Sequence, residues 1–374
     1  MKRKILFITG TRADFGKLKS LITKVEQSSN FESYIFATGM HMLEKYGSTY
    51  DEIKKVGFSN IYSFVNQKDS ASSDMDFVLS KTIQGLGNHV RKIKPDLIVV
   101  HGDRIEALAG AIIGVLNNIR VAHVEGGELS GTVDELIRHS VSKLSHIHFV
   151  ANKDAKKLLM QMGECEDSIY VIGSPDIDAM MSDNLPSLIK VKEKYDIGFN
   201  DYHLFLYHPV TTELHKLKHN INTVIDALIL SEFNYVCIYP NNDTGTNVIL
   251  DALMKLKNNQ QFRLIPSMRF EYFISLLKNA QCIIGNSSAG IREASVYGIP
   301  TINIGNRQHN RYHYHSIVNV IEDKDMILKS LRNLPIKITP SFHFGKGKSA
   351  EKFIKHLSNP QLWDKSIQKQ FKSL

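Results

Sequence analysis

The chain has 374 residues, 43% of them hydrophobic and 22% charged, so it is long enough for two domains and its composition excludes intrinsic disorder over most of its length. The formal net charge is +8, but residues 331–374 contain nine Lys or Arg and only two Asp or Glu, so most of the excess lies in this C-terminal segment. We interpret these basic residues as a solvated helix face rather than as a nucleic-acid-binding arm.

Short apolar, β-branched runs alternate with helix-length segments along almost the whole chain. The runs that predict strands are Ile5–Thr9, Ser33–Thr38, Asp96–Val100, Val121–Val124, His146–Val150, His203–Tyr207, Tyr235–Tyr239, Gln281–Ile284, Thr301–Ile304 and Ile317–Ile321. The helical patterns between them include Gly16–Gln27, Met75–Ile93, Thr212–Leu230 and Glu271–Asn279. This alternation predicts an α/β fold of parallel sheets wrapped by helices. A proline and a charge cluster near Ser182–Gly198 predict a hinge between two similar halves.

The first turn, GTRADFGK at residues 10–17, lies between a predicted strand and a predicted helix. It lacks the second glycine of the dinucleotide-binding motif G-x-G-x-x-G, and its spacing and the residue after its lysine do not fit a Walker phosphate loop. What remains is a tight turn with two basic residues, Arg12 and Lys17, beside a helix N-terminus. Their charges and the helix dipole suit an anionic group, but an ordinary turn with surface charges has the same pattern.

Three carboxylates lie close to predicted strand ends in the first half, where ligands bind in open α/β sheets. Asp103 directly follows an apolar run and precedes Arg104; an aspartate here serves equally well as an N-cap or as a catalytic group, and the sequence leaves both open. Glu125 follows the next strand and precedes two glycines that allow close backbone approach. Asp134 lies on the helix beyond. Three such carboxylates near one cleft can divide acid and base duties, because neighbouring charges separate their pKa values.

Two other patterns in this segment have simpler explanations. Asp134 and Arg138 are spaced i, i+4 on a predicted helix, so a weak surface ion pair is an alternative to a catalytic role. The triplet HVE at residues 123–125 matches the H-x-E of zinc deaminases, but no P-C-x-x-C follows, so we expect no metal site.

Polar segments also follow predicted strands in the second half. His208 comes directly after one strand, where a structural role and a role in a site are both compatible with the sequence, and residues 239–246 form a polar strand-to-helix turn. Residues 286–290, Asn-Ser-Ser-Ala-Gly, open a helix with Glu293 one turn inside. Backbone N–H groups and hydroxyls at such a helix start suit diphosphate oxygens, and a glutamate can accept both ribose hydroxyls, so we predict a nucleotide-diphosphate site here.

The cysteines and the N-terminus contain no further signal. There are three cysteines, Cys165, Cys237 and Cys282, and they are widely spaced. This pattern predicts neither disulfides nor a metal or redox pair. Cys237 and Cys282 lie in apolar runs that we expect in the core. The N-terminal apolar run is far shorter than a signal-peptide core, and no stretch approaches the roughly 18 apolar residues of a membrane span. We therefore expect a cytoplasmic protein with no membrane contact.

Seven segments, taken in order, resemble UDP-N-acetylglucosamine 2-epimerases, in particular the hydrolysing enzymes of bacterial sialic acid biosynthesis. They are ITGTRADFGKLK, GMHMLEKYG, HGDRIEALAGA, HVEGGELSGTVDELIRHSVSKLSHIH, HPVTTE, YPNNDTGT and GNSSAGIREA. The resemblance implies the GT-B fold, in which two Rossmann-like domains face each other across a cleft. The expected boundaries are an N-terminal domain at 1–182, a hinge at 183–198, a UDP-binding domain at 199–345, and a C-terminal helical segment at 346–374 that crosses back toward the N-terminal domain.

The resemblance also implies a reaction without metal or nicotinamide, in which UDP-GlcNAc and water become N-acetylmannosamine and UDP. UDP leaves first to give 2-acetamidoglucal, and water then adds with inversion at carbon 2. By motif, Asp103, Glu125 and Asp134 are similar to the catalytic carboxylates, with base and acid left unassigned. His208 and Arg138 are similar to residues that stabilise the departing phosphate. The other matches are to residues that bind UDP or sugar: Arg12, Lys17, Arg104, Asn241, Phe273, Ser287, Ser288 and Glu293.

The hydrolysing assignment depends on two segments that differ from non-hydrolysing relatives. Residues 208–212 are HPVTT in place of an H-R-x-E-N type segment, and residues 125–129 are EGGEL in place of E-A-G-L-R. The alternatives are a hydrolysing epimerase acting on UDP-2,4-diacetamido-2,4,6-trideoxyglucose, a non-hydrolysing UDP-GlcNAc 2-epimerase, a glycosyltransferase of the same architecture and a non-catalytic nucleotide-sugar sensor. From the resemblance we expect a homodimer or homotetramer that binds a UDP-sugar and no nucleic acid.

Overall fold

A computed structural model of the chain describes residues 2–44, 49–67, 74–130, 133–241, 243–335 and 338–370. These residues form two compact α/β units, each built around one parallel sheet. Unit 1 consists of Met1–Glu128, Asp134–Ser182 and His343–Leu374, and unit 2 consists of Leu129–Val133 and Asp183–Phe342.

The sheet of unit 1 has seven strands, numbered here along the chain. They are β1 (Arg3–Thr9), β2 (Phe31–Ala37), β3 (Ile61–Ser63), β4 (Leu97–His101), β5 (Arg120–Val124), β6 (Ile147–Val150) and β7 (Ile169–Val171). Their spatial order is β3-β2-β1-β4-β5-β6-β7, with every pair parallel. The central strands are continuous apolar runs because helices cover both faces of the sheet.

Nine helices of the described part of the chain belong to unit 1. They are α1 (Arg12–Glu26), α2 (Tyr50–Val56), α3 (Met75–Ile93), α4 (Ile105–Leu116), α5 (Val133–Leu144), α6 (Lys153–Gln161), α7 (Pro175–Met180), α15 (Ser349–Leu357) and α16 (Pro360–Trp363). The last two pack into the same core as the sheet: the ring of Phe353 lies 4.7 Å from that of Phe149, and the guanidinium of Arg3 lies 4.2 Å over the ring of Trp363. The C-terminal segment is therefore part of the hydrophobic core of unit 1.

Unit 2 repeats this arrangement with a sheet of six strands. They are β8 (His203–Leu206), β9 (Tyr235–Ile238), β10 (Phe262–Ile265), β11 (Cys282–Gly285), β12 (Thr301–Ile304) and β13 (Ile317–Val320). Their order is β10-β9-β8-β11-β12-β13, again all parallel. Its helices are α8 (Leu188–Tyr195), α9 (Leu214–Leu230), α10 (Thr246–Met254), α11 (Phe270–Lys278), α12 (Ser288–Ile291), α13 (Glu293–Tyr297) and α14 (Lys324–Arg332).

The structure confirms the predicted α/β class and every predicted strand, with ends that differ by two residues at most. The strands that the sequence did not predict are β3, β7 and β10, and each lies at the edge of its sheet. Edge strands are short and only half covered, so they lack the continuous apolar run of a central strand. Cys237 and Cys282 are fully buried in the core, as predicted.

Two further features bear on the expected environment of the protein. No helix within the described residues is long and apolar enough to cross a membrane. The basic C-terminal segment is only partly a solvated face. Lys352 and Lys355 on α15 are exposed, whereas the side chain of Lys369 is 24% exposed and donates to the carbonyl oxygen of Ser145.

Candidate active site

Asp103 and Glu125 follow two neighbouring strands, β4 and β5, of the sheet of unit 1. His101 at the end of β4 is paired with Val124 at the end of β5, and the N–H of Gly102 donates to the carbonyl oxygen of Val124 at 3.0 Å. The turns that carry the two carboxylates therefore leave the sheet side by side, at its carboxyl end. This is the edge of an open α/β sheet at which ligands bind.

Arg138 on α5 connects these two turns. Its guanidinium donates to the carboxylate of Asp103, and its Nη1 donates to the backbone carbonyl oxygen of Glu125 at 2.7 Å. The side chain of Arg138 is only 2% exposed, so it is not the surface partner that its spacing from Asp134 also allowed. Asp134 lies half-buried in the first turn of the same helix.

The N-cap alternative for Asp103 is excluded by the start of α4. That helix begins at Ile105, and Arg104 occupies the N-cap position. Asp103 thus lies one residue earlier, in the turn, where its side chain is 26% exposed. A carboxylate with a buried cationic partner and an accessible surface is suited to proton transfer with a bound ligand.

The carboxylate of Glu125 is almost completely enclosed, with a side chain that is 4% exposed. Its Oε1 accepts a hydrogen bond from the hydroxyl of Ser174, and its Oε2 lies 3.1 Å from Nε2 of His101. The backbone of Glu125 has a φ of 62°, a region that residues other than glycine rarely adopt. Gly127 has a φ of 75°, and a Cβ at this position would lie 2.3 Å from the carbonyl oxygen of Ala155. Both facts require glycine at position 127.

His123, the other half of the H-x-E triplet, has a structural role. Its ring bridges the carbonyl oxygen of Gly102 at 2.8 Å and the hydroxyl of Ser142 at 2.9 Å. Burial lowers the pKa of His123 to about 3, so the ring is neutral, and because a carbonyl oxygen only accepts, its proton is on Nε2. Within the described residues, no group of three or more His, Cys, Asp or Glu side chains is arranged to hold a metal ion.

The three basic residues predicted to bind an anion in the first domain all lie in unit 1, each beside a carboxylate. Arg12 at the start of α1 lies 2.8 Å from Glu52, Lys17 lies 3.2 Å from the fully buried Asp176, and Arg104 lies 3.2 Å from Glu106. These distances join a side-chain nitrogen to a carboxylate oxygen. An anionic ligand would share these cations with their carboxylate partners, so their role in ligand binding stays a prediction.

The backbone and the ring of His208 in unit 2 are each held by an asparagine. The backbone N–H of His208 donates to Oδ1 of Asn286 at 2.7 Å, and its backbone carbonyl oxygen accepts from Nδ2 of the same residue at 2.9 Å. The backbone N–H of Asn241 donates to Nδ1 of the His208 ring at 3.3 Å. Since an N–H can only donate, Nδ1 is the acceptor and the neutral ring carries its proton on Nε2. Nε2 is therefore a donor suited to a phosphate oxygen.

The predicted diphosphate turn forms two short helices rather than one. Ser287 is the N-cap of α12, and its Oγ accepts from the N–H of Ala289 at 3.3 Å, which leaves the hydroxyl proton free to donate. The helix ends before the fully buried Arg292, and Glu293 begins α13. Glu293 is 3% exposed, and Phe273 on α11 is 8% exposed. Ser288 is half-buried.

Several residues around these positions were not predicted from the sequence. In unit 1 they are His101 and Ser174, both of which contact Glu125. In unit 2, Arg307 and Gln308 donate to the carbonyl oxygen of Asn286 at 3.3 and 3.1 Å. Because Arg307 comes shortly after β12, the rule that favours residues beyond strand ends would have selected it too.

Comparisons with known proteins identify relatives over nearly the whole chain. A family model described as UDP-N-acetylglucosamine 2-epimerase matches residues 23–358. A UDP-N-acetylglucosamine 2-epimerase of Neisseria meningitidis serogroup B is 46% identical over 374 residues, which are 99% of this chain and 98% of that protein. A hydrolyzing UDP-N,N'-diacetylbacillosamine 2-epimerase of Legionella pneumophila is 36% identical over 359 residues, 94% of each protein.

A solved structure shares the fold. The UDP-GlcNAc 2-epimerase of Methanocaldococcus jannaschii, in complex with UDP-GlcNAc and UDP, has a TM-score of 0.80 and 24% sequence identity, covering 95% of this chain and 99% of that one. At this level of identity the likeness concerns the fold alone. It confirms the predicted GT-B type, with two parallel-sheet α/β domains.

Proposed function

The chain belongs to the UDP-N-acetylglucosamine 2-epimerase family, and we propose that it is a hydrolysing epimerase, which converts UDP-GlcNAc and water into N-acetylmannosamine and UDP. The observation that carries this proposal is the link that Arg138 makes between Asp103 and the backbone of Glu125. It fixes two acidic residues at adjacent strand ends, where proton transfers to and from a bound sugar are possible.

In the proposed reaction, a carboxylate removes the proton from carbon 2 while the bond between carbon 1 and the diphosphate oxygen breaks. UDP leaves, and 2-acetamidoglucal remains. The oxygen of a water molecule then adds to carbon 1 as a carboxylate accepts one of its protons, and a carboxyl group delivers a proton to carbon 2 from the opposite face. Asp103, Glu125 and Asp134 are the groups that we propose for these transfers.

We assign the binding of UDP to unit 2. The hydroxyls of Ser287 and Ser288 would donate to the diphosphate, and Glu293 would accept from the ribose. The Nε2–H of His208 would stabilise the charge that develops on the departing phosphate, since its Nδ1 is already engaged by Asn241. The two hydrogen bonds between Asn286 and the backbone of His208, which hold the chain in place at this position, support this role.

The water-adding branch is supported by two sequence differences and by one relative. Residues 208–212 and 125–129 differ from the segments of non-hydrolysing enzymes, and the Legionella pneumophila relative is described as hydrolyzing. A relative from Escherichia coli described as polysialic acid biosynthesis protein P7, 30% identical over 334 residues, supports the further proposal that the product enters sialic acid synthesis.

Incubation of the purified protein with UDP-GlcNAc in heavy water, followed by nuclear magnetic resonance, tests the proposed reaction. We expect free N-acetylmannosamine with deuterium at carbon 2 and an equal amount of UDP. A UDP-linked mannosamine without free UDP would show a non-hydrolysing epimerase instead. Transfer of the sugar only when an alcohol acceptor is added would show a glycosyltransferase.

A second candidate substrate is UDP-2,4-diacetamido-2,4,6-trideoxyglucose. It is favoured by the 36% identity with an enzyme described as acting on UDP-N,N'-diacetylbacillosamine. Both substrates share UDP and the acetamido group at carbon 2, and they differ at carbons 4 and 6. Measuring kcat/KM for each substrate separates the candidates, and we expect the larger value for UDP-GlcNAc. We further propose a homo-oligomer, which light scattering of the purified protein tests.

A further inference from the structure

The ring of His101 has a carboxylate on each side. Its Nδ1 lies 2.8 Å from Oδ1 of Asp14, and its Nε2 lies 3.1 Å from Oε2 of Glu125. The side chain of His101 is 9% exposed, and those of Asp14 and Glu125 are 12% and 4% exposed. The three groups therefore form a continuous charged row inside unit 1.

This arrangement fixes the protonation of the ring. A neutral imidazole has one N–H, so between two ionised carboxylates one of its ring nitrogens would direct a lone pair at an oxygen. The imidazolium has an N–H for each side. Burial lowers the pKa of His101, but the charges of Glu125 and Asp14 and the hydrogen bond to Asp14 outweigh it and raise the pKa to about 9. The ring is accordingly a cation at neutral pH.

Both ends of the row are anchored. Oδ2 of Asp14 accepts from the N–H of Gly10 at 3.1 Å, and the N–H of Asp14 donates to Oγ1 of Thr11 at 3.1 Å. At the other end, Glu125 is held by the hydroxyl of Ser174. His101 thus connects the first turn of α1 to the turn after β5.

We propose that His101 is a positioning residue, which holds the Glu125 carboxylate in a single orientation and compensates its buried charge, while Asp14 fixes the ring. The inference rests on the proposed catalytic role of Glu125. With His101 replaced by a neutral side chain, the enclosed Glu125 would lose this cationic neighbour, and its carboxylate would rotate or bind a proton more readily. His101 is thus required for turnover, although substrate need not touch it.

A matched control lies in the same sheet. His148 on β6 is fully buried, and its Nε2 lies 3.0 Å from Oε2 of the buried Glu164. This pair is also a buried histidine beside a carboxylate, although burial lowers the pKa of His148 whereas that of His101 is raised, and it involves none of the proposed site residues. His148→Gln therefore reproduces the loss of a buried histidine beside a carboxylate without disturbing the site.

The test is the steady-state release of UDP from UDP-GlcNAc. We expect His101→Gln to lower kcat by at least about tenfold, a coupling typical of directly contacting residues, with KM changed by less than about threefold. Asp14→Asn should lower kcat in the same way, and it replaces His101→Gln as the test if that variant does not fold. His148→Gln should lower the unfolding midpoint and leave kcat within about twofold of the parent.

The double variant His101→Gln/Glu125→Gln separates positioning from a general loss of structure. If His101 acts through Glu125, its replacement has little further effect once Glu125 is already Gln. A full additional loss in the double variant, or parental kcat in His101→Gln, would overturn the inference. Parental turnover in Glu125→Gln alone would instead refute the catalytic role of Glu125 in the proposed function. The experiment therefore distinguishes a failure of the proposed function from a failure of the inference about His101.

Discussion

Arg138 and Asp103 form an ion pair in which the cation is buried and the carboxylate is accessible, with side-chain exposures of 2% and 26%. The guanidinium approaches Asp103 from the interior of unit 1 and is held there by its second bond, to the carbonyl oxygen of Glu125. The guanidinium therefore orients the Asp103 carboxylate from its buried side, while the exposed part of the carboxylate remains accessible to a ligand. Glu125 differs, because its carboxylate is enclosed by Ser174 and His101.

Replacement of Arg138 by lysine tests the importance of this link. A lysine keeps the charge but has a single nitrogen, so it cannot reach both acceptors with the geometry of the planar guanidinium. We expect a loss of roughly 1–3 kcal/mol in the free energy of unfolding, because a buried acceptor is left without its donor. We also expect a lower kcat. Urea unfolding and initial rates of UDP release measure the two effects.

The control for this variant is Arg120→Lys. Arg120 on β5 also donates to two acceptors, the carbonyl oxygens of Trp363 and Lys365, but neither belongs to the proposed site. It should lower stability without lowering kcat. A parental kcat in Arg138→Lys would show that the link has no catalytic importance.

Asp103→Asn and Glu125→Gln test the proposed proton transfers. General acid–base groups contribute about 10²- to 10⁴-fold to rates, so each variant should lose turnover by orders of magnitude. UDP binding should persist, because Ser287, Ser288 and Glu293, to which we assign the diphosphate and the ribose, lie in unit 2. Calorimetry with UDP and initial rates with UDP-GlcNAc measure the two properties. A near-parental rate in either variant would show that its catalytic assignment is wrong.

Glu164→Gln is the appropriate comparison for both variants. It likewise replaces a carboxylate of unit 1 by its amide, but Glu164 contacts Lys143, His148 and Lys369 rather than any proposed site residue. Its turnover should stay near that of the parent, which would separate a catalytic loss from a loss of folded protein.

The positions of Asp103 and Glu125 were predictable because β4 and β5 are central strands. Such strands are covered on both faces and appear in the sequence as continuous apolar runs, so their ends can be found. The turns beyond those ends, at the carboxyl edge of the sheet, then follow from the topology of parallel sheets. The same reasoning located His208 after β8 and the serines after β11.

The partners of these residues were not predictable in the same way. Ser174 contacts Glu125 across 49 residues of sequence and follows β7, an edge strand too short to be seen as an apolar run. His101 is the last residue of β4 rather than the first residue beyond it. Such contacts depend on side-chain directions in three dimensions, which no local pattern encodes.

The double substitution Ser287→Ala/Ser288→Ala tests the predicted diphosphate turn. Both hydroxyls would be lost, and we expect UDP affinity to weaken far more than the fold does. Some loss of stability, about 1 kcal/mol, is expected because Ser287 caps α12. Calorimetric titration with UDP gives the affinity, and thermal unfolding without ligand gives the stability.

Ser187→Ala provides the control for that loss of a cap. Ser187 is the N-cap of α8, also in unit 2, and its Oγ accepts from the N–H of Lys190. It should reproduce the loss of stability and leave UDP affinity unchanged. Superimposable UDP titration curves for the parent and the double variant would refute the assignment of these serines to the diphosphate.

Glu164 lies at the centre of a second buried cluster, which ties the C-terminal segment to α5. Its carboxylate contacts Lys143, His148 and Lys369. Lys369 also donates to the carbonyl oxygens of Ser142, Lys143 and Ser145, at 3.1, 2.8 and 2.7 Å. A cation at the C-terminal end of a helix is favourable because it meets the negative end of the helix dipole. The cluster therefore stabilises the C-terminal end of α5, the end opposite to Asp134.

The contribution of Glu164 to stability should depend on pH in a defined direction. Burial raises its pKa, but hydrogen bonds and charge interactions with His148 and Lys369 outweigh this and lower the pKa from 4.5 to about 2. A carboxyl group with a lowered pKa in the folded state stabilises the protein above its unfolded-state pKa, and this stabilisation disappears as pH falls toward the folded-state value. Glu164→Gln should therefore be destabilising at pH 7, and its difference from the parent should shrink between about pH 4.5 and pH 2.

Urea unfolding of both proteins at a series of pH values measures this difference. Asp51→Asn is the control: Asp51 pairs with Lys54 at 2.6 Å, but the two side chains are 60% and 52% exposed, so solvent screens the interaction. Its difference from the parent should be small at every pH. A penalty for Glu164→Gln that stays constant down to pH 3 would mean that the amide loses packing or hydrogen bonds rather than charge. The cluster would then stabilise α5 through packing and hydrogen bonds. Protonation of Glu164 would not weaken the contact between the C-terminal segment and α5.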